Sequence, residues 1–312
     1  METLIFITAF TLILSSSLIY FTNLFFRKKN LYDSINNRSM HNVSSTRSGG
    51  FAIGITIFII SSTYYILGLE LYDYSILVPL SLLLAIGLYD DIYKLDFKLK
   101  FIFQIIAAKI IIDTGLIIDN FHGVLGIDEL NRALAQVFTI FVIVAIINSI
   151  NFIDGIDGLA LSVTIFFIFC YEFFINSFNP YQIFSLILIS SLIPLYYFNF
   201  RKENKVFLGD SGSLFIGGAI SILTIYILSN DYIIKSEFDL HKILFVISIL
   251  FYPIIDIIRI FFLRLIKGKS PFIADKNHIH HFIFGRTNNH KLTTLIIITT
   301  SICFFIFVQI IF

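Results

Sequence analysis

Long apolar runs are the feature that most constrains what this chain can fold into. About ten of them occur in 312 residues, each with the length of a bilayer-spanning helix, about 17 to 25 residues. Backbone polar groups inside lipid must be paired internally, so only helices or closed barrels cross a membrane, and barrel strands would alternate apolar with polar residues. The sequence therefore predicts an all-α, polytopic membrane protein with about ten transmembrane helices, at 3–26, 49–68, 75–92, 99–118, 134–150, 158–178, 181–199, 212–229, 241–265 and 291–312.

Composition agrees with a membrane location. The chain is 57% hydrophobic and 14% charged, whereas about a quarter of the residues in a soluble domain are charged. A net charge of +1 gives no basic surface for nucleic acid. Cys170 and Cys303 lie in apolar runs, which favours small buried hydrophobic residues over a disulfide or metal pair. We find no linker or repeat, so residues 1–312 are predicted to form a single transmembrane domain.

Basic residues concentrate in alternate connections between the apolar runs. Such connections face the cytoplasm, so both termini are predicted to lie outside. The N-terminus lacks a basic segment before its first apolar run, which indicates a retained helix rather than a cleaved signal peptide. The basic connections contain Arg27, Lys28, Lys29, Arg38 and Arg47, then Lys94, Lys98 and Lys100, then Arg201, Lys202 and Lys205, then Arg264, Lys267, Lys269, Lys276, Arg286 and Lys291.

Four polar clusters interrupt the apolar pattern, all on the predicted cytoplasmic side. They are the pair Asp90-Asp91 and the segments 148–157, 207–214 and 270–281. An ionised Asp costs about 2.5–3.5 kcal/mol at the centre of a membrane helix and less at an interface. Solvated helix ends therefore remain an alternative explanation for the acidic pair, and a helix cap remains one for Asp210.

The second cluster favours a shaped, oxygen-rich site. It has two Asn and two Asp residues between apolar helices, and its glycines permit unusual backbone dihedrals. Asp is poor inside a helix, which indicates a loop or a broken helix. These oxygens, together with Asp210, would suit Mg²⁺, which binds few protein carboxylates alongside substrate phosphates.

Three histidines in the fourth cluster allow a zinc site or a phosphate-binding site. Their close spacing and the lack of a nearby Cys disfavour zinc, whereas the surrounding basic residues favour a grip on phosphate. A solvated basic loop is a further alternative. Asp256 and Arg259 are three residues apart and share a helix face. They form either a functional intramembrane pair or a structural support for this loop.

These residues together resemble the polyprenyl-phosphate N-acetylhexosamine-1-phosphate transferases of glycosyltransferase family 4. The similarity runs from Arg38 to His281, and the joint order and spacing of the motifs make it specific. Two departures affect the first loop: 43–46 lacks the prolines common before the matching Arg, and Ser48 replaces a usual Gly. The motifs are Arg38-Ser-Met-His41, Arg47-Ser-Gly-Gly50, Asp90-Asp91 with Lys100, and the three later clusters.

The resemblance implies transfer of a sugar 1-phosphate from a UDP-sugar to a membrane polyprenyl phosphate, with release of UMP. It implies Mg²⁺, or Mn²⁺, held by Asn151 and Asp210, and places the catalytic residues Asp90 and Asp91 near the attacking lipid phosphate. The remaining positions are implied to bind substrate: Lys100, Asn148, Asp154, Asp157, His278, His280 and His281.

The fourth cluster indicates the branch. Ser270-Pro-Phe followed by His278-Ile-His-His resembles the enzymes that start O-antigen lipopolysaccharide, teichoic acid or enterobacterial common antigen, which favours UDP-N-acetylglucosamine or a related amino sugar. A composition typical of AT-rich genomes suggests undecaprenyl phosphate in a bacterial inner membrane. A homodimer is left open. The alternatives are the phospho-N-acetylmuramoyl-pentapeptide transferase of peptidoglycan synthesis, a membrane transporter and a scaffold protein.

Overall fold

A computed structural model describes residues 2–33, 45–121, 123–175, 179–229, 240–268 and 277–311. These residues form helices and connections with no β-strand, which confirms the predicted all-α class. The helices are α1 (Glu2–Lys28), α2 (Gly49–Ile66), α3 (Leu77–Tyr93), α4 (Phe97–Asp113), α5 (Arg132–Ile153), α6 (Leu159–Phe174), α7 (Gln182–Asn199), α8 (Gly209–Ser229), α9 (Leu240–Ile249), α10 (Phe251–Ile266), α11 (Ile279–Thr287) and α12 (His290–Ile311).

The structure does not confirm the predicted count of ten spanning helices. Among the described residues, seven helices are long and apolar enough to cross a bilayer, or eight if α9 and α10 form one span bent by 83°. Helices α4 and α6 are 17 and 16 residues long, which gives them about 25 Å at 1.5 Å per residue. That is short of a hydrocarbon core of about 30 Å. The count of ten is therefore not confirmed.

Helix α8 lies at the centre of the bundle. In the most apolar 18-residue stretch of this helix, 89% of the residues are buried. Helices α2, α3 and α5 all pack against it. A helix that is hydrophobic all round is expected to be buried in this way. The central position means that the first residues of α8 are surrounded by the ends of its neighbours.

The ends of several helices meet at one end of the bundle. Asp90 and Asp91 lie in the last turn of α3, and Asn151 lies in the last turn of α5. Asp210 is the second residue of α8, and Lys100 is in the first turn of α4. The turn between α3 and α4 is short, because α3 ends at Tyr93 and α4 begins at Phe97. The Asp96 carboxylate caps α4 by accepting the Lys98 amide at 3.4 Å. Residues from distant parts of the sequence thus share one end of the bundle.

The two cysteines differ in their surroundings. Both are free thiols; Cys170 on α6 is buried, whereas Cys303 on α12 is exposed on the protein surface. The prediction of a buried hydrophobic residue is confirmed for Cys170 and wrong for Cys303. The most apolar 18 residues of helix α12 are only 28% buried, so its outer face carries apolar residues that no other described helix covers.

Candidate active site

Lys100 links two acidic residues at the end of the bundle. Its Nζ donates to Asp90 Oδ2 at 2.8 Å and to Asp210 Oδ1 at 2.5 Å. The other oxygen of Asp90 accepts the Leu95 amide at 2.6 Å, which fixes this carboxylate over the turn after α3. Three residues predicted to belong to the site are therefore brought together.

Asn151 contacts the same aspartate from α5. Its side-chain amide donates to Asp210 Oδ1 and to Ser213 Oγ, each at 2.7 Å. The residues predicted to hold a metal, Asn151 and Asp210, are thus neighbours in space although 59 residues separate them in sequence. Whether they hold a metal stays a prediction.

Asp91 has a different environment from Asp90. Its Oδ1 accepts the backbone N–H of Asp210 at 2.8 Å, and its Oδ2 accepts that of Ser211 at 2.9 Å. Only 1% of its side chain is exposed. Adjacent residues of a helix point about 100° apart, and this separates the two acids of the pair.

Arg47 is a site residue that the motif assignment did not single out as functional. Its Nη1 lies 3.5 Å from both Asp91 Oδ1 and Asp210 Oδ2, and its Nη2 lies 2.8 Å from Asp33 Oδ1. The available signal was its place in the Arg47-Ser-Gly-Gly50 motif. The first-loop motif 38–41 lies outside the described residues.

Backbone pairing holds Arg47 beside Asp210. Thr46 bridges to Val206 in parallel, and its carbonyl accepts the Phe207 amide at 2.8 Å. The Gly49 and Gly50 amides then donate to the carbonyls of Phe207 and Leu208 at 3.0 and 2.8 Å. This segment, residues 46–50, therefore docks on the residues immediately before α8.

Asp154 lies just after α5 and is partly buried. Burial and the negative charges of Asp210 and Asp91 raise its pKa well above the ordinary value. Among the described residues no hydrogen bond or ion pair of its side chain is seen, so it reaches the acidic cluster through electrostatics. It adds a further carboxyl group to the same end of the bundle.

Asp157 is tied into the protein rather than into this cluster. Its carboxylate pairs with Lys205 in a largely buried contact. Its amide donates to His290 Nδ1 at 3.2 Å, and its carbonyl accepts the Thr294 hydroxyl at 2.9 Å. These contacts join the turn after α5 to α12. They favour a structural role, while its substrate role stays a prediction.

Asn148 lies one turn before Asn151 and is 8% exposed. Its side-chain amide donates to Gln104 Oε1 at 2.7 Å and to the Val144 carbonyl at 2.8 Å. Gln104 donates back to Asn148 Oδ1 at 3.3 Å. One amide hydrogen of Asn148 thus joins α5 to α4 and the other bonds within α5, and the structure does not bring this residue to the acidic cluster.

Two residues of helix α10 bind the start of the histidine segment, residues 277–281. Asp256 accepts from His278 Nδ1 at 2.6 Å and from the Ile279 amide at 2.8 Å. Arg259 contacts Asp256 at 3.2 Å and also bonds the Asn277 carbonyl. Of the two predicted roles for the Asp256–Arg259 pair, the geometry favours support of this loop. Residues 269–276 lie outside the described part of the chain.

His280 is a buried, neutral side chain. Its Nδ1 bonds the Tyr252 hydroxyl at 2.8 Å, and it is 1% exposed. Burial, aided by the charge that His281 and His278 carry when protonated, lowers its pKa to about 3. The lowered pKa favours the neutral form of this ring near neutral pH, and its predicted substrate role stays a prediction. The rings of His280 and His281 are 4.3 Å apart, so the segment packs as one unit.

The charges of the cluster do not balance. Within the described chain, Asp90, Asp91 and Asp210 are contacted by two cations, Lys100 and Arg47, and Arg47 is shared with Asp33. Close carboxylates with an oxygen-only donor set fit Mg²⁺, which binds few protein ligands and keeps several waters. In the described ranges no three His, Cys, Asp or Glu side chains are grouped to hold a metal alone.

Comparison with known proteins shows the family to which the chain is similar. The family model described as glycosyl transferase family 4 matches residues 74–228, a range that includes Asp90, Lys100, Asn151 and Asp210. A *Bacillus subtilis* protein described as a probable undecaprenyl-phosphate N-acetylglucosaminyl 1-phosphate transferase is 31% identical over 85% of this chain and 73% of its own length.

Two further relatives extend the comparison. The undecaprenyl-phosphate alpha-N-acetylglucosaminyl 1-phosphate transferase of *Pasteurella multocida* is 34% identical over 91% of this chain and 81% of its own length. The decaprenyl-phosphate N-acetylglucosaminephosphotransferase of *Mycobacterium tuberculosis* is 28% identical over 72% of this chain and 59% of its own length. The chain therefore belongs to glycosyl transferase family 4, in the branch of the undecaprenyl-phosphate N-acetylglucosaminyl 1-phosphate transferases.

Proposed function

We propose that this protein transfers N-acetylglucosamine 1-phosphate, or that of a related amino sugar, from a UDP-sugar to undecaprenyl phosphate and releases UMP. The reaction would be the first membrane step of a cell-surface polysaccharide. The observation that carries the proposal is the cluster in which Lys100 and Arg47 contact Asp90, Asp91 and Asp210 at one end of the helical bundle. The names of the relatives support the transferred group and the acceptor class.

The chemistry requires that two phosphate-bearing substrates approach each other. Their negative charges repel, so cationic groups must screen them, and positioning with charge stabilisation supplies most of the catalysis. Lys100 and Arg47 would bind phosphate oxygens, while Asp154 and the histidine segment would line the donor side. When bound by Asn151 and Asp210, Mg²⁺ would supply further neutralisation of the diphosphate charge.

We favour direct displacement. An oxygen of the lipid phosphate attacks the sugar-proximal phosphorus of the UDP-sugar and forms a new P–O bond. The bond from that phosphorus to the bridging oxygen breaks, and UMP leaves with the bridging oxygen. Asp90 would accept the proton of a monoprotonated lipid phosphate, because it is the more exposed acid of the Asp90–Asp91 pair.

A covalent aspartyl-phosphate intermediate is the rival mechanism. It would require an Asp oxygen to attack the donor before the lipid phosphate does, and it predicts a phosphorylated enzyme when the lipid is withheld. Incubation with a donor labelled at the sugar-proximal phosphate, followed by acid quench and mass spectrometry, separates the two. A phosphorylated Asp peptide would overturn direct displacement.

The site is proposed to face the cytoplasm of a bacterial plasma membrane, with both termini outside. The basic connections support this orientation. A cytoplasmic interface lets a soluble nucleotide meet a lipid phosphate. The acids lie at helix ends, whereas transporters tend to place polar residues at broken helices near the membrane midplane. This favours the enzyme over the transporter.

The deciding experiment measures UMP release from purified protein with undecaprenyl phosphate and Mg²⁺. The donors are UDP-N-acetylglucosamine, UDP-N-acetylgalactosamine and UDP-N-acetylmuramoyl-pentapeptide, and the last tests the peptidoglycan alternative. We expect UMP with an amino-sugar donor and loss of it with EDTA and in Asp210→Ala. Asp113→Ala is the matched control, because its ion pair with Lys109 is exposed and distant from the cluster. No UMP from any donor with folded protein would overturn the proposal.

A further inference from the structure

The two acids of the Asp90–Asp91 pair differ in exposure and in their hydrogen-bond partners. Asp90 is 14% exposed on its side chain and shares Lys100 with Asp210. Asp91 is 1% exposed, and both of its oxygens accept backbone amides, those of Asp210 and Ser211. The first amides of a helix have no partner within the helix, and Asp91 supplies one from α3.

The packing of α3 against α8 allows this contact. Gly87 lies one turn before Asp91 on the same face, and a Cβ at Gly87 would come within 2.5 Å of the Asp210 carbonyl oxygen and of Ser211 Cα. Gly209 has φ +75°, and a Cβ there would come 2.7 Å from Asp91 Oδ2. The backbone at the start of α8 thus fits closely around the Asp91 carboxylate.

We infer that Asp91 is a positioning residue, which caps α8 and thereby fixes Asp210, while Asp90 is the acid that meets the substrate. Among the described residues, both Asp91 oxygens accept backbone amides at the start of α8, and the side chain is 1% exposed against 14% for Asp90. It acts on the site through the backbone of Asp210. The consequence for catalysis rests on the proposed function, whereas the capping contact does not.

Hydrogen exchange of the full-length protein in detergent, without substrates, tests the capping contact directly. Asp91→Asn keeps one acceptor oxygen but turns an NH₂ group toward the second amide. We expect the amides at the start of α8, in a peptide covering 206–215, to exchange at least about tenfold faster. Asp90→Asn is the matched control, and its exchange in this peptide should equal that of wild type.

Steady-state kinetics then separates positioning from direct action. Residues that orient a site residue typically contribute about 10- to 100-fold. We expect Asp91→Asn to lower kcat by that factor and to raise the Mg²⁺ concentration for half-maximal rate, with KM for the UDP-sugar within about twofold. Asp90→Asn should lose far more activity without faster exchange. An Asp91→Asn protein that is as inactive as Asp90→Asn, with wild-type exchange, would overturn the inference.

A second variant covers the case in which Asp91→Asn does not fold. Gly209→Ala should displace Asp91 from the opposite side and give the same fast exchange in the 206–215 peptide. Gly68→Ala is the matched control, because Gly68 has φ +70° but no atom within 4 Å of its added Cβ. Wild-type exchange in Gly209→Ala would overturn the inference. If wild-type protein releases no UMP, the proposed function fails, and the exchange experiment still decides the capping role.

Discussion

Lys100 donates to Asp210 at 2.5 Å although 110 residues separate them in the sequence. The same amine reaches Asp90, so Lys100 is the cation that joins α3, α4 and α8. We expect Lys100→Gln to lower UMP release by about 10²- to 10³-fold, because it removes charge stabilisation from the reacting phosphates. Lys109→Gln on the same helix is the control, since Lys109 forms an exposed ion pair with Asp113. Equal activities of the two variants would contradict this role.

Arg47 offers a second cation, oriented by Asp33. We expect Arg47→Ala to lower kcat by about 10²-fold. Arg47→Lys should recover little, because an ammonium group cannot contact Asp33 and the two cluster acids as a guanidinium fork does. Asp33→Asn, which keeps the cation but weakens its orientation, should lose less activity than either. A larger loss in Asp33→Asn than in Arg47→Ala would contradict this arrangement.

The Asp157–Lys205 pair makes a prediction about stability. Its side chains are 11% and 9% exposed, so removing one partner leaves a largely buried charge without its ion-pair partner. We expect Lys205→Met to lower the free energy of unfolding by about 3–5 kcal/mol, with Asp157→Asn in the same chain restoring most of it. Reversible unfolding in detergent measures both. The exposed Lys109–Asp113 pair, at about 0–1 kcal/mol, provides the comparison.

His280 makes the stability depend on pH. Its pKa is about 3 in the folded protein and about 6.5 when unfolded, so the unfolded state binds more protons between these values. Protonation of His280 in the unfolded state has almost no effect on the free energy of unfolding above pH 6.5. It lowers this free energy progressively as pH falls toward 3. His280→Gln, which can still bond Tyr252, should therefore lose less unfolding temperature between pH 7 and pH 5 than wild type. Identical losses would show that His280 titrates normally.

Much of the site follows from the sequence because helix ends can be located from hydrophobic patterning. Successive spans run in opposite directions, so every second connection lies on the same side of the membrane. This places four residues at one end of the bundle: Asp90, Lys100, Asn151 and Asp210. The distinction between Asp90 and Asp91 could not be predicted, because it depends on which neighbour each helix face meets. Pattern alone also could not show that Asn148 bonds Gln104 on another helix.

The position of Arg47 could not be predicted, because it depends on contacts between parts of the chain that are still further apart in sequence. Its position results from backbone pairing with residues about 160 positions later, and a single sequence carries no periodic signal for such a contact. The predicted count of ten spans is not confirmed for a different reason. Apolar runs extend beyond the helices that form, as in α6, which ends at Phe174 although its predicted run continues to 178.

The pairing of Thr46 with Val206 has a consequence for the order in which the protein is made. A nascent chain that has reached residue 200 lacks Val206, the bridge partner of Thr46, and helix α8, which Asp91 caps. It already contains Asp90, Asp91, Lys100 and Asn151. Closing a loop of this length costs chain entropy before any contact rewards it. The acidic cluster is thus completed only after α8 has been synthesised, and an interrupted chain has no assembled site.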